Sequence, residues 1–359
     1  MYLAERSWMT EEHEVLRDTV EKFIVAQITP YYEEWEAAGI VPREVWEKLG
    51  SCGLLSPDIP ERYGGAGGSF THLAVILNEF ARHGYAVFAG SMLGVHSGIA
   101  NHYILNHGSK EQKQRYLPSM ASGETVTAIA MTEPAAGSDL QGVQTVAERE
   151  GNGYIINGAK TFISNGQNCD TVIVVAKTDR SVAGSRGISL LMVDANSDGF
   201  TRGRNLEKIG LHCADTSELF FDNVRVPQSC RIGEENQGWT VAKYLLEFER
   251  GGIAYTPPVK AGLQNLKAIS KVEPGGNGRK LIEDPDFRRE LAILEIEVTA
   301  AEMIEKRVMS ALSQGQNPGA ASSIFKLRGS ELLQRMLEMT MNALGNYAAP
   351  YQPDAYSQG

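Results

Sequence analysis

A chain of 359 residues with 42% hydrophobic composition exceeds a typical domain of roughly 100–200 residues, so two or three modules around a core large enough to enclose a cofactor are expected. Its formal net charge of −10 argues against nucleic acid or an anionic membrane surface as partner, because both are gathered by clustered Lys and Arg. The four cysteines, Cys52, Cys169, Cys213 and Cys230, are dispersed without a CxxC pair, which suits neither zinc nor a secreted disulfide framework and points to a reducing cytoplasm.

The opening stretch "YLAERSWMTEEHEVL" has neither the basic start and apolar core of a secretory signal nor the Arg-rich character of a transit peptide. From Thr10 to about Gly123 apolar residues recur at three- and four-residue intervals, the period of packed helices. The turn cluster "PERYGGAGGS" (60–69) separates two of them, with Ser69 and Thr71 as capping groups for the next. The apolar tract 86–105 is broken by Gly90, Gly94, His96, Gly98, Asn101 and His102, so it reads as a buried helix rather than a membrane span. His72, His83, His96, His102 and His107 show no HExxH spacing and read as structural histidines, so no metal site is expected.

Between about Thr125 and Val226 the texture turns to short β-branched runs, "GYIINGAKTFIS", "DTVIVVAKT", "GISLLMVD" and "SELFFDNVRV", which predict an antiparallel barrel or sandwich. After "GEENQGW" the helical period returns, with "KVEPGGNGRK" (271–280) as a loop. The resulting expectation is an α+β chain: a helical domain over 1–124, a β domain over 125–234 and a helical bundle over 235–359.

At the first junction stands "AIAMTEPAAGSDLQG" (128–142), a Thr-Glu-Pro corner beside Ala135, Ala136, Gly137 and Ser138, closing on Asp139. This motif, the order of the three zones, "GSKEQKQRYLPSMASGE" (108–124), "GAKTFISNG" (158–166) and "LEKIGLHCADTSELFFDNVRVP" (206–227) together resemble the acyl-CoA dehydrogenase family across nearly the whole chain. The resemblance implies FAD as cofactor, with Ile129, Met131, Thr132, Gly137 and Ser138 along the flavin and Phe162 and Ser164 covering the other ring face. Most of the family carries Trp where this chain has Phe162. The residue types suit that role, since small side chains let backbone donors approach closely and an aromatic ring can stack.

The family's reaction is α,β-dehydrogenation of an acyl-CoA thioester, with a Glu taking the α proton and hydride passing to flavin N5. One family position for the base falls on Glu249, followed by Arg250, and the resemblance assigns substrate contacts to Ser138 and Arg250. Helical neighbours Ala242, Leu245, Leu246 and Ile253 place Glu249 on an apolar stripe, where a carboxylate is desolvated and its pKa rises. By periodicity alone, Glu247, Glu249 and Arg250 read equally well as a solvated charged patch. Gly251 and Gly252 suggest close approach of a ligand or helix, and Pro257 and Pro258 a kink or stop. Most members take the base from a late Tyr-Glu-Gly segment, which "YAAPYQPDAYSQG" does not contain. Either Glu249 is the base or the base lies on residues not represented here.

Where relatives place an Arg that reaches a neighbouring subunit's cofactor, Arg279 is the nearest candidate, and "NALGNYA" (342–348) loosely matches the segment that meets the adenine end. Electron-transferring flavoprotein is the implied acceptor. A homo- or heterotetramer is expected, because the stripes Leu291, Leu294, Val298 and Ile324, Leu327, Leu332 exceed what one small domain covers. Two other readings remain: a flavin-poor subunit completing a heteromeric dehydrogenase, and a flavoenzyme of the same fold that oxidises another substrate or uses oxygen directly.

Overall fold

Thr10 and Ser69 each start a helix, and at both the third helical residue is a histidine whose Nδ1 accepts the backbone N–H of the capping residue, at 3.1 Å for His13 and 2.9 Å for His72. This closes the first turn of helices Glu11–Phe23 and Phe70–Arg82, which pack against each other and share an apolar core with Tyr32–Ala38 and Arg43–Ser51. Their apolar stripes meet around Ile24, Trp46, Leu49, Phe80 and Phe88. The computed structural model describes residues 9–85, 88–182, 184–242, 256–276, 278–314, 316 and 320–350. Over 88–107 the expected helix is present, but wider π turns interrupt it at Phe88–Met92 and His96–Ala100. Among the described residues no helix is long and apolar enough to cross a membrane.

Among the described residues eight strands follow: β1 Thr127–Ala130, β2 Val146–Glu150, β3 Gly153–Ser164, β4 Thr171–Lys177, β5 Ile188–Asp194, β6 Phe200–Asn205, β7 Thr216–Pro227 and β8 Arg231–Ile232. They form one sheet in the order β6-β7-β3-β2-β4-β5-β8, with β1 beside β4. The expectation of purely antiparallel pairing needs correction, because β1 pairs with β4 in parallel and β2 touches β4 in the same sense. The β2–β3 hairpin lies between β1 and β4 in sequence, so the chain returns to β1 by a crossover rather than a tight turn. Side chains of β4 alternate between two cores. Val172, Val174 and Ala176 enter the core of the sheet, while Ile173 and Val175 meet Tyr103, Ile104, Leu117 and Met120 from the N-terminal helices. A strand covered on both faces requires a continuous apolar run, which is what "TVIVVA" supplies.

Polar contacts also join the layers, among them those of Arg43 and His96. Arg43 donates to Asn168 O at 3.0 Å and to Asp170 Oδ2 at 2.6 Å, and Asp170 Oδ2 also accepts Val126 N–H at 2.7 Å. His96, wholly buried in its π turn, donates from Nε2 to Met120 O at 3.0 Å and accepts Thr127 N–H at Nδ1 at 3.2 Å. A neutral ring does both at once, and burial draws its pKa down to about 4.

The C-terminal helices Thr256–Val272, Pro285–Ser313 and Ala320–Leu344 share a core of Val259, Leu266, Leu294, Val298, Leu332 and Met336. Here the sequence-based stripe is corrected in part: Leu291, Leu294, Val298 and Leu332 are covered within the chain, whereas Ile324 and Leu327 stay about half exposed, as do Ile296, Leu337 and Met341. The exposed apolar band thus runs along the outer faces of the last two helices.

The His96 arrangement predicts an acid-sensitive contribution to stability. With the folded pKa near 4 and the unfolded value near 6.5, the unfolded chain takes up the proton first, so stability present above about pH 6.5 is lost as pH falls toward 4. His102 has the opposite sign, since burial lowers its pKa but the Asp58 carboxylate 3.0 Å away raises it overall. The effect must therefore be read as the difference between wild type and His96→Gln. Urea-unfolding midpoints should show the gap shrinking by about 3 kcal/mol between pH 7 and 4, the equivalent of a 2.5-unit difference. A gap that is flat with pH would refute the assignment.

Candidate functional site

The Thr-Glu-Pro corner leaves β1 and folds back at once: Glu133 N–H bonds to Ala136 O at 2.9 Å and Ala136 N–H to Glu133 O at 3.0 Å, so residues 133–136 form a closed turn with Pro134 at its second position. Ala136 plugs into the apolar layer under the N-terminal helices, while Pro134, Ala135, Gly137, Ser138 and Asp139 face outward. Asp139 caps the short turn Leu140–Gly142, its Oδ1 accepting Gln141 N–H at 3.1 Å. A Cβ built on Gly137 would meet nothing within 4 Å, so the loop presents bare backbone to open space.

Beside this loop runs β3, which breaks register with β7 twice, between Ile156 and Gly158 and again between Lys160 and Ile163. Phe162 occupies the second irregularity with φ +57° and its side chain 67% exposed. Left-handed backbone is rare for a bulky aromatic and costs of order 1–3 kcal/mol, and an exposed ring adds to that. Such outliers collect where a ligand is clamped. Thr161 N–H donates to Thr132 O at 2.9 Å, so the Phe162 bulge and the β1 exit lie side by side.

Below them is a buried ion pair. Lys160 Nζ reaches Glu133 Oε1 at 2.8 Å and Met131 O at 2.9 Å, with side-chain exposures of 0% and 4% for Lys160 and Glu133. Glu133 also accepts Gln144 N–H at 2.6 Å and Thr145 N–H at 2.9 Å. Burial pushes the Glu133 carboxyl up, but the Lys160 ammonium and the N–H donors outweigh it and hold the pKa below the usual value. Burial draws Lys160 down to about 8 despite the carboxylate beside it. Sequence reading did not single out either residue as part of the site. A signal was present, since Lys160 shares the strand parity of Tyr154 and Ile156 and so faces inward.

Of the residues singled out in the sequence, Ile129 and Met131 pack against the apolar layer under the N-terminal helices, Thr132 is bonded to Thr161 beside the Phe162 bulge, and Gly137 and Ser138 lie exposed on the loop after the closed turn. Ser164 is half-buried two residues further along β3, opposite Thr216. Arg279 is exposed on the loop between the first two C-terminal helices, and its backbone bonds, to Gly275 and Gly276, stay inside that loop. Glu249 and Arg250 lie outside the described residues. One trio among the described residues, Glu21, Glu79 and His83, offers metal-type ligand atoms within 4.8 Å of one another, but Arg82 already bonds Glu79 at 2.6 Å and reaches Glu21 at 3.5 Å, so a cation occupies that position.

A flavin is a flat tricycle whose polar edge wants backbone and hydroxyl donors and whose faces want apolar or aromatic cover. The residues present suit it in kind: an exposed aromatic ring at Phe162, bare backbone at Gly137–Ser138, and a partly buried Thr132 whose carbonyl is bonded to Thr161 beside that ring.

Comparison with known proteins bears on the same residues. Residues 10–124, 128–224 and 236–355 match the descriptions acyl-CoA dehydrogenase N-terminal domain, middle domain and C-terminal domain. The chain is 46% identical over 246 residues to the mitochondrial long-chain specific acyl-CoA dehydrogenase of Rattus norvegicus, a match over 68% of this chain and 56% of that one. The matched stretch thus spans little more than half of that relative. It is 31% identical over 348 residues to the caffeyl-CoA reductase-Etf complex subunit CarC of Acetobacterium woodii, covering 97% of this chain and 90% of the other. A crystal structure of acyl-CoA dehydrogenase from Geobacillus kaustophilus superposes with a TM-score of 0.90 at 36% identity, over 97% of this chain and 91% of that one. With three consecutive domain matches and fold agreement along nearly its full length, the chain belongs to the acyl-CoA dehydrogenase family.

Proposed function

We propose that this protein is an FAD-dependent acyl-CoA dehydrogenase that desaturates the α,β bond of an acyl-CoA thioester. The observation that carries the reading is the exposed, left-handed Phe162 beside the Thr132 strand exit, which leads into the open backbone of Gly137 and Ser138. FAD, when bound, supplies the two-electron oxidant. The chain's own residues do the rest. Ile129, Met131, Thr132, Gly137 and Ser138 hold the cofactor's polar edge, Phe162 and Ser164 cover a face, and Ser138 and Arg250 take substrate contacts. Glu249 accepts the α proton, a step that needs a desolvated carboxylate with a raised pKa. Arg279 reaches the cofactor of a neighbouring subunit.

Similarity to a subunit of an Etf complex supports an electron-transferring flavoprotein as acceptor. The exposed apolar band of the last helices supports a closed oligomer. The test is the absorbance spectrum of the purified protein before and after a panel of acyl-CoAs under anaerobic conditions. Yellow protein that bleaches fits a dehydrogenase, and colourless protein fits a flavin-poor partner subunit.

Two variants sharpen this. Gly137→Leu fills space that no protein atom occupies, so stability of the flavin-free protein should stay within about 0.5 kcal/mol of wild type while flavin content falls. Unchanged flavin content would remove Gly137 from the cleft. Glu249→Gln retains shape but cannot take a proton, so flavin and acyl-CoA should still bind while bleaching slows about 10²-fold or more. Bleaching at the wild-type rate would place the base elsewhere.

A further inference from the structure

The Lys160–Glu133 pair is made at a place where stability alone gives little reason for it. A buried ion pair is a poor source of net stability, because desolvating both charges consumes most of the attraction, and apolar replacements of both partners together are often neutral or better. What this pair does have is reach. From one ammonium it touches the Met131 carbonyl at the end of β1 and the carboxylate of the turn 133–136, and that carboxylate in turn gathers the N–H groups of Gln144 and Thr145 at the start of β2. Three chain segments therefore converge on two side chains. Lys160 also stands between the two register breaks of β3, where the ladder to β7 gives the strand least guidance.

We propose that Lys160 and Glu133 are positioning residues for the cofactor cleft: they fix the Thr132–Ser138 loop relative to the Phe162 bulge, so that the two lips stand at the right separation before the flavin arrives. The proposal rests on the reading that this cleft takes FAD. Both side chains are buried, so they act on a bound ligand only through other groups. Their effect passes through the Met131 carbonyl and the closed turn on one side and through the two residues from Lys160 to Phe162 on the other. A binding site must be held to about 0.5 Å and 10–20° by its supporting residues, and this is the only buried ion pair among the described residues that links the two lips.

The test compares Glu133→Gln, Lys160→Met, the double variant and Glu133→Asp, each as the full chain stripped of flavin. FAD affinity is read from quenching of flavin fluorescence, the environment of bound flavin from visible circular dichroism, and stability from thermal unfolding of the flavin-free protein. Each of Glu133→Gln and Lys160→Met strands a buried group and should lower the melting temperature. The double variant should return it to within about 3 °C of wild type, yet bind FAD at least about tenfold more weakly and with an altered visible spectrum. If the double variant does not fold, Glu133→Asp carries the test. It keeps the charge but withdraws the carboxylate by one methylene, and weaker FAD binding with a changed spectrum is the expected result. Wild-type FAD affinity and spectrum in whichever of these two variants folds would show that the pair only supports the fold and would overturn the proposal. Failure of the wild-type protein to take up FAD at all would instead overturn the cofactor reading, and this proposal with it.

Discussion

Strand β4 gives Val172, Val174 and Ala176 to the sheet core and Ile173 and Val175 to the helices packed above it, and this two-sided burial determines where β1 and the loop after it must lie. Each fully buried Val or Ile contributes about 1.5–3 kcal/mol relative to exposure, so a one-residue slip that exchanged the two faces would misplace all five side chains. β1 is held in register along β4 from Thr127 beside Thr171 to Ala130 beside Val174. The chain therefore leaves the sheet at Met131, between the helical layer and β3. The motif loop begins where the apolar layers end.

Apolar packing decides which layers touch, but it is non-directional, and the finer placement falls to polar groups at the seams. His96 ties a π turn to both Met120 and Thr127. Arg43 and Asp170 fasten a helix start to the strand entry at Val126. Glu133 and Lys160 fasten β1 to β3. His96, Lys160 and Glu133 are buried, and a buried polar group that loses its partner is far more costly than one that never had to be buried, whereas Arg43 and Asp170 are partly exposed and count for less. Misplacement of any one segment thus strands a charge or a donor, which makes one arrangement of the cleft much better than its neighbours.

The order of helices, strands and helices was legible because the hydrophobic period changes from 3.6 to 2 and back at the junctions. "TVIVVA" read correctly as a strand, yet its parallel neighbour did not, since pairing direction depends on a crossover that no local pattern encodes. The motif 132–139 stands out in the sequence through its unusual run of small residues, and in the fold it follows directly on β1. Glu133 was treated as part of a corner, when its side chain anchors three segments, and Lys160 passed as one residue of a strand. A lone Lys in a β run looks like a solvated edge unless its parity is compared with Tyr154 and Ile156. The C-terminal stripes were only half legible. Helical periodicity identifies an apolar face but not its cover, and Leu294 and Val298 find theirs inside the chain while Ile324 and Leu327 do not.

Phe162 shows how these levels meet. Its left-handed backbone follows from the register break after Lys160, and that break turns the ring outward instead of into the sheet core, where neighbouring Ile163 goes. The outward ring is unfavourable in water and the backbone is unfavourable anywhere, so the free protein carries both costs at one residue. A flat ligand laid against the ring removes the first cost and leaves the second as the means by which the ring is aimed. If the proposed cofactor lies there, a phenyl offers it less stacking area than an indole would, so less of the binding energy comes from the ring itself. On that reading more comes from the loop after the closed turn, where the backbone of Gly137 stands in open space, provided the loop is held still. On the proposed reading, the buried Lys160–Glu133 pair is what holds it still.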